Sequence, residues 1–270
     1  VVPATGADRQ GGELIVDTSY LSLEGKVALV TGGSRGIGKA IALTFADAGA
    51  DVIVSSRKQE ALDPVAAEIV SMGRRGLAVA AHNRKPDDLR ALMNSVKKEF
   101  GRLDILVNNA ATNPVMAPLV DIEERTFDVI MNTNLKGYFL LSQMAARMMI
   151  EQGDGGNIIN ISSVGGVSPD PGLSVYCISK AAINMLTKSL AVELGAHDIR
   201  VNALAPGVVR THFSQVLWTN DELMAQEMSH TPLQRIAEPE EVARMALAVV
   251  SSAAIYMTGQ VIVMDGGSSL

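Results

Sequence analysis

The run Lys26-Val27-Ala28-Leu29-Val30-Thr31 passes without a break into Gly32-Gly33-Ser34-Arg35-Gly36-Ile37-Gly38 and then into an amphipathic stretch. A short apolar run that enters a glycine-rich turn and leaves it as a helix reads as the first half of a strand–helix–strand unit. The helix that opens there presents free N–H groups and the positive end of its dipole. Glycines let a pyrophosphate approach the backbone, so the turn suits a dinucleotide. Glycine triplets also close ordinary turns, and the surroundings decide which reading applies.

Working outward, the same alternation repeats to the end of the chain. Apolar runs at 26–31, 51–56, 77–81, 103–108, 157–162, 200–205 and 260–264 read as strands, and 36–48, 59–72, 86–100, 122–150, 175–194 and 239–250 as helices. Pro86 and Pro239 stand where a first helical turn tolerates proline. This predicts an α/β protein with a doubly wound, seven-stranded parallel sheet in a single domain. No linker divides the chain, so residues 23–270 are assigned to that domain, with a lid at about 208–236, and residues 1–22 to an N-terminal arm.

Composition excludes several functions. The 270 residues carry 23 basic and 29 acidic side chains, a net charge of −6, which gives no attraction for a phosphate backbone and argues against nucleic acid as a partner. Cys177 is the single cysteine and cannot form an intramolecular disulfide. His82, His197, His212 and His230 are scattered without metal-ligand spacing, so no metal is expected. Polar residues interrupt the longest charge-free stretch, and no membrane span is expected. Residues 1–12 lack the basic head and apolar run of a secretory signal. The ending Ser268-Ser269-Leu270 lacks the basic residue of a peroxisomal Ser-Lys-Leu, so a cytoplasmic location is expected over a peroxisomal one.

The end of the second strand bears on which nucleotide binds. A site for NAD usually carries an acidic residue there for the ribose 2′-hydroxyl. Here the sequence is Ser55-Ser56-Arg57-Lys58, and a hydroxyl beside a guanidinium fork suits a 2′-phosphate. Arg35, inside the glycine turn, approaches from the other side. Ser56, Arg57 and Arg35 therefore point to NADP(H).

Tyr176 and Lys180 lie four residues apart at the start of a predicted helix and share one face. Ser163 ends the preceding strand, and the glycines and prolines between it and Tyr176 form a loop able to fold the strand end onto the helix start. A nearby ammonium favours the phenolate, so it is expected to lower the tyrosine pKa and fit it for acid–base work near neutral pH.

From about residue 22 onward the chain resembles the short-chain dehydrogenase/reductase family. The resemblance rests on the glycine turn with gaps of four and two, Asn108-Asn109-Ala110, Asn134, Ser163, Tyr176 with Lys180, and Pro206-Gly207 followed by Thr211, all in the family's order. It implies a Rossmann-type fold and hydride transfer between a nicotinamide and a carbonyl. Tyr176 would be the general acid/base and Ser163 a donor to the reacting oxygen. Lys180 would tune Tyr176 and bind the nicotinamide ribose, and Asn134 would hold a proton-conducting water chain. Cofactor contacts are implied for Gly32, Ser34, Arg35, Gly36, Ile37, Gly38, Ser56, Arg57, Asn109, Ala110, Tyr176, Lys180, Pro206, Gly207, Val209 and Thr211. Ala111 replaces the family's usual glycine. Where the family often places Asp against the adenine, the sequence reads His82-Asn83, and Asn83 is assigned that contact.

The lid contains Phe213, Leu217 and Trp218, which are assigned to a small apolar carbonyl or alcohol substrate. The Ser55–Gln59, Asn108–Pro114 and Phe213–Trp218 segments resemble NADP-dependent carbonyl and retinol reductases. A 3-oxoacyl-[acyl-carrier-protein] reductase is the alternative, although Arg147 is the only basic residue between Tyr138 and Ser163, where an acidic carrier would need a basic patch. A non-catalytic NADPH-binding sensor is a third reading. The resemblance also implies a homotetramer, with Met144, Met148, Met149, Met185 and Leu186 offered either to a partner or to the chain's own core.

Overall fold

Five consecutive residues, Val27–Thr31 (β1), are buried along their whole length, as a strand covered by helices on both faces must be. The computed structural model describes residues 18–270. On one side of β1 lie β2 (Asp51–Ser56) and β3 (Gly76–Ala80), and on the other β4 (Ile105–Asn108), β5 (Gly156–Ile161), β6 (Ile199–Pro206) and β7 (Val261–Met264). The order is β3-β2-β1-β4-β5-β6-β7 with every pair parallel. The winding reverses between β1 and β4, which opens a crevice at the carboxyl ends of those strands.

The helices are α1 (Gly36–Asp47), α2 (Gln59–Ser71), α3 (Pro86–Phe100), α4 (Glu124–Met131), α5 (Gly137–Gln152), α6 (Ser174–Leu194), α7 (Gln215–Trp218), α8 (Asp221–His230) and α9 (Pro239–Val250). One core packs α1, α2 and α9 on the sheet through Ile41, Phe45, Leu62 and Val242. The other packs α3, α5 and α6 through Leu92, Leu141, Met149 and Leu194. Polar groups pin the ends of the sheet. Asp104, 4% exposed, accepts from the Val27 N–H at 2.8 Å and from the Arg102 guanidinium at 3.0 and 2.6 Å, tying the starts of β1 and β4 together. Arg200 donates to carbonyls at and beyond the end of α9, Val249 at 2.8 Å and Ala254 at 2.9 Å among them, satisfying acceptors that a helix end leaves open.

All seven expected strands form, with ends displaced by two residues at most. The long expected helix at 122–150 does not stay regular. α4 ends at Met131, Asn132–Lys136 forms a π-helical turn, and α5 begins at Gly137. Such wide turns commonly mark functional positions, and this one contains Asn134. The lid holds two helices where the sequence reading placed none. α8 starts on Asn220, whose side chain accepts the Glu222 and Leu223 N–H groups, a standard N-cap.

Most of the expected arm lies outside the described residues. Its end is tied down, since Ser252 donates to the Tyr20 carbonyl at 2.9 Å and Leu23 is buried. Met148 and Met149 belong to the chain's own core, while Met185 is exposed. Among the described residues no helix is long and apolar enough to cross a membrane, and no cluster of three His, Cys, Asp or Glu side chains is placed to hold a metal.

Candidate active site

The glycine turn is tight for stated reasons. Gly32 and Gly36 have φ of 65° and 55°, a region side chains avoid. A Cβ on Gly32 would lie 2.6 Å from Asn109 Nδ2, and one on Gly38 would collide with the Gly32 carbonyl oxygen. Asn109 fastens the turn to β4 by donating to the Thr31 carbonyl at 2.9 Å, while Thr31 Oγ1 accepts from the Asn109 and Ala110 N–H groups. The N-terminus of α1 has no side-chain cap and no acidic residue in its first turn. A glycine cradle facing an uncapped helix start fits a pyrophosphate. Thr211 forms the opposite wall, 3.2 Å from where a Gly36 Cβ would stand. Gly207 sits so close to Asp265 that a Cβ would lie 2.9 Å from its backbone.

At the outer end of the crevice, Ser56 closes β2, with Arg57 exposed just beyond it and Arg35 exposed in the turn. Neither arginine has an ion pair among the described residues, so both are available to an anionic ligand. Asn83 lies inside the protein. It is 6% exposed, its amide donates to the Thr133 carbonyl at 2.7 Å, and it packs against Gly137 at the start of α5. One of its two amide N–H groups is thus committed to the protein, and the Oδ1 atom is buried without a partner among the described residues. His82, one residue earlier, is partly exposed. Burial and the cations Arg84, Arg57 and Lys85 hold its imidazole below its ordinary value.

Deeper in, β5 and α6 bring the remaining residues together. Ser163 follows β5 in extended conformation and accepts from the Gly165 N–H at 3.1 Å. Ser162 donates to Asn184 at 2.6 Å, and Asn184 donates to the Gly166 carbonyl at 2.9 Å, which folds the strand end onto α6. The Ser163 hydroxyl and the Tyr176 ring both border Gly165, and Lys180 Nζ lies 5.4 Å from the Tyr176 ring centroid. Lys180 is 1% exposed and donates to the Ile161 carbonyl at 2.6 Å. Asn134 is fully buried. Its amide donates to Thr112 O and Ser179 Oγ, each at 3.1 Å, and its Oδ1 accepts from Thr112 N at 2.8 Å. No side-chain donor remains for a water chain, so the side chain joins the loop after β4 to α6.

The electrostatics correct one expectation. The Tyr176 phenol is not lowered by its lysine: burial pushes it up to about 12, against the lowering effect of the nearby Ser163 hydroxyl. Burial likewise brings Lys180 down to about 7. Desolvation opposes both charged forms, and the ammonium sits over the ring rather than on the hydroxyl.

Of the lid residues, Phe213 reaches the site, with its ring centroid 5.7 Å from that of Tyr176. Trp218 is turned into the lid itself. Its indole N–H donates to the Thr211 carbonyl at 3.0 Å, and Arg210 covers its ring at 5.5 Å. That bond holds the segment carrying Thr211.

Comparison with known proteins agrees with this arrangement. A family model described as enoyl-(acyl carrier protein) reductase matches residues 32–269. Human dehydrogenase/reductase SDR family member 4 is 39% identical over 246 residues, 91% of this chain and 88% of its own. The chain belongs to the short-chain dehydrogenase/reductase family. Another member, the 3-oxoacyl-[acyl-carrier-protein] reductase FabG of Thermotoga maritima, is 40% identical over 247 residues, covering 92% of this chain and 99% of that one. The solved structure of a 7α-hydroxysteroid dehydrogenase complexed with NADH and 7-oxo glycochenodeoxycholic acid is 35% identical with a TM-score of 0.89, covering 94% and 98%.

Membership makes this chain an oxidoreductase that interconverts carbonyl and alcohol groups with a nicotinamide cofactor. It leaves the substrate open, because relatives of nearly equal identity have different names. One neighbour of the site escaped the sequence reading. Tyr138, on α5, is fully buried with its ring centroid 5.5 Å from Lys180 Nζ. Nothing in its sequence context sets it apart from an ordinary core aromatic.

Proposed function

We propose that the protein reduces an apolar ketone or aldehyde with NADPH, using Tyr176 as the proton donor. The observation that carries this reading is the convergence of Ser163, Lys180 and the Phe213 ring on Tyr176. NADPH, when bound, supplies the hydride. The glycine cradle and the start of α1 hold its pyrophosphate, Arg35, Ser56 and Arg57 its 2′-phosphate, and Lys180, Val209 and Thr211 its nicotinamide end. Ser163 donates to the substrate oxygen while Tyr176, a neutral acid at neutral pH, passes its proton to it. Lys180 stands by the phenol with two N–H donors that have no protein partner among the described residues.

The exposed Phe213 ring beside Tyr176 supports an apolar substrate. Charge weighs against an acidic carrier protein. Asp170, in the loop joining Ser163 to Tyr176, and Glu227, on lid helix α8, both have carboxyls raised by burial, and Asp170 raises Glu227 further. Two neighbouring carboxylates there repel an acidic partner. The test is Tyr176→Phe, assayed with NADPH and a panel of diketones and aromatic aldehydes. Cofactor affinity should persist while turnover falls by roughly 10² to 10⁴, the usual contribution of general acid catalysis. Near-normal turnover, or a wild-type protein that binds NADPH and reduces nothing on the panel, would remove this reading.

A further inference from the structure

Lys180 is an unusual cation in one respect: among the described residues no anionic group supports it. From β5 it meets the Ile161 carbonyl, from its own helix α6 the Tyr176 ring, and from α5 the Tyr138 ring. Burial draws its proton affinity down, and no carboxylate among the described residues offsets that. Tyr138 shares its seat, since its hydroxyl donates at 3.4 Å to the same Ile161 carbonyl that accepts from Lys180 Nζ. Its own hydroxyl is held well above the ordinary phenol value by burial, with the Tyr176 hydroxyl adding to the rise. Tyr138 therefore stays neutral and offers an undisturbed negative ring face.

We infer that Tyr138 is a positioning residue for Lys180: its buried ring, set against Nζ from α5, keeps the ammonium charged and seated on the Ile161 carbonyl. A cation over an aromatic face is attracted by the ring quadrupole, most strongly where water is excluded. The attraction opposes desolvation, and Lys180 lies between two such faces. α5 is placed for this by close packing at its start, where Gly137 approaches Asn83 so tightly that any Cβ would collide with it. The buried Asn83 thus acts on the site from behind, through the helix that carries Tyr138. The inference rests on the proposed role of Lys180.

The test compares wild type, Tyr138→Phe and Tyr138→Leu, all as the full chain. It measures carbonyl reduction against pH and, separately, the NADPH dissociation constant against pH by cofactor fluorescence. In wild type both should weaken as pH rises and Lys180 loses its proton. Phe keeps the ring and should leave that alkaline limb in place. Leu removes the ring and should move the limb down by about 0.4 to 1.5 pH units, the span of cation–π strengths from exposed to desolvated sites. If Leu does not fold, fluorinated phenylalanines at position 138 keep the shape while draining the ring face, and the limb should move further with each added fluorine. A Leu profile that loses activity equally at every pH with its limb unmoved overturns the inference. A Phe profile shifted as far as that of Leu does the same, because it places the effect on the hydroxyl. Lys180→Arg serves as the control. If the limb in NADPH affinity survives there, the functional assignment of Lys180 fails instead.

Discussion

Replacing Lys180 with methionine should make the protein more stable and inactive. Burial takes this amine from an ordinary 10.5 to about 7, which at about 1.4 kcal/mol per pH unit is on the order of 4–5 kcal/mol against the charged folded state. Below pH 7 both folded and unfolded chains hold the proton, and the folded state bears the whole cost. Between about 7 and 10.5 the folded chain has released a proton that the unfolded chain keeps, so stability rises with pH. Above 10.5 the cost is gone. Methionine removes the charge at similar volume but also the bond to the Ile161 carbonyl, which retains the Tyr138 hydroxyl as a donor. Exchanges of buried ions for apolar groups are often neutral or stabilising by about 1–4 kcal/mol. In a domain of this size that is roughly 2–4 °C in Tm per kcal/mol. Urea midpoints of the cofactor-free protein at pH 6 and pH 10 provide the assay. The variant should unfold later than wild type at pH 6, and the gap should close towards pH 10. Equal midpoints at pH 6, or one gap at both pH values, would show that the ammonium is not strained by burial.

Three other substitutions probe other parts of the molecule. Gly38→Ala places a methyl against the Gly32 carbonyl oxygen. An overpacking cost of about 1–3 kcal/mol in the cradle should appear as a weaker NADPH complex by roughly 5- to 150-fold, read by fluorescence titration, and unchanged affinity would mean the cradle does not hold the cofactor. Arg57→Ala should weaken NADPH by at least about tenfold, the scale of one charge-assisted hydrogen bond, while leaving NADH nearly untouched; equal losses for the two nucleotides would refute the 2′-phosphate assignment. Asp104→Asn keeps the shape but takes the charge from beside Arg102, whose side chain is 38% exposed. The loss should be about 1–3 kcal/mol in denaturant unfolding, and a change below half of that lower bound would mean water replaces the pair.

The strands were legible because each buried strand of a parallel sheet must be apolar on both faces, and runs such as Val27–Val30 and Ile105–Val107 leave no other choice. The order of strands in the sheet was not legible in any single run, because it is set by how the crossovers pack and not by a strand's own residues. The lid helices were missed for a local reason. Asn220-Asp221-Glu222 is a legible N-cap with an acidic first turn, but the segment was read for its apolar substrate-facing residues and not for its start signals. The break at Asn132–Lys136 was hidden because the residues around it are ordinary helix residues. Asn134 leaves the regular register to reach Thr112 and Ser179 across a distance no periodicity records. Asn83 and Trp218 show the same limit. Each is a plausible ligand contact by type and position, and in each a side-chain N–H is given to a nearby carbonyl, Thr133 for one and Thr211 for the other.

The raised proton affinity of Tyr176 changes the account of the proposed reaction. A resting ammonium–phenolate pair would have spent its attraction before substrate arrived. Here burial disfavours both charges, so Tyr176 rests neutral and Lys180 holds its proton weakly. In the proposed reaction, moving the Tyr176 proton to the substrate oxygen would form a phenolate beside the ammonium in a place with little water, where opposite charges attract far more than in solvent. That attraction exists only once the proton is in motion, and interactions of that kind lower the barrier without tightening the ground state. On this proposal, the stability lost by burying Lys180 and the rate gained from its charge have one origin. A variant at position 180 that relieved the first while keeping the full second would refute that common origin.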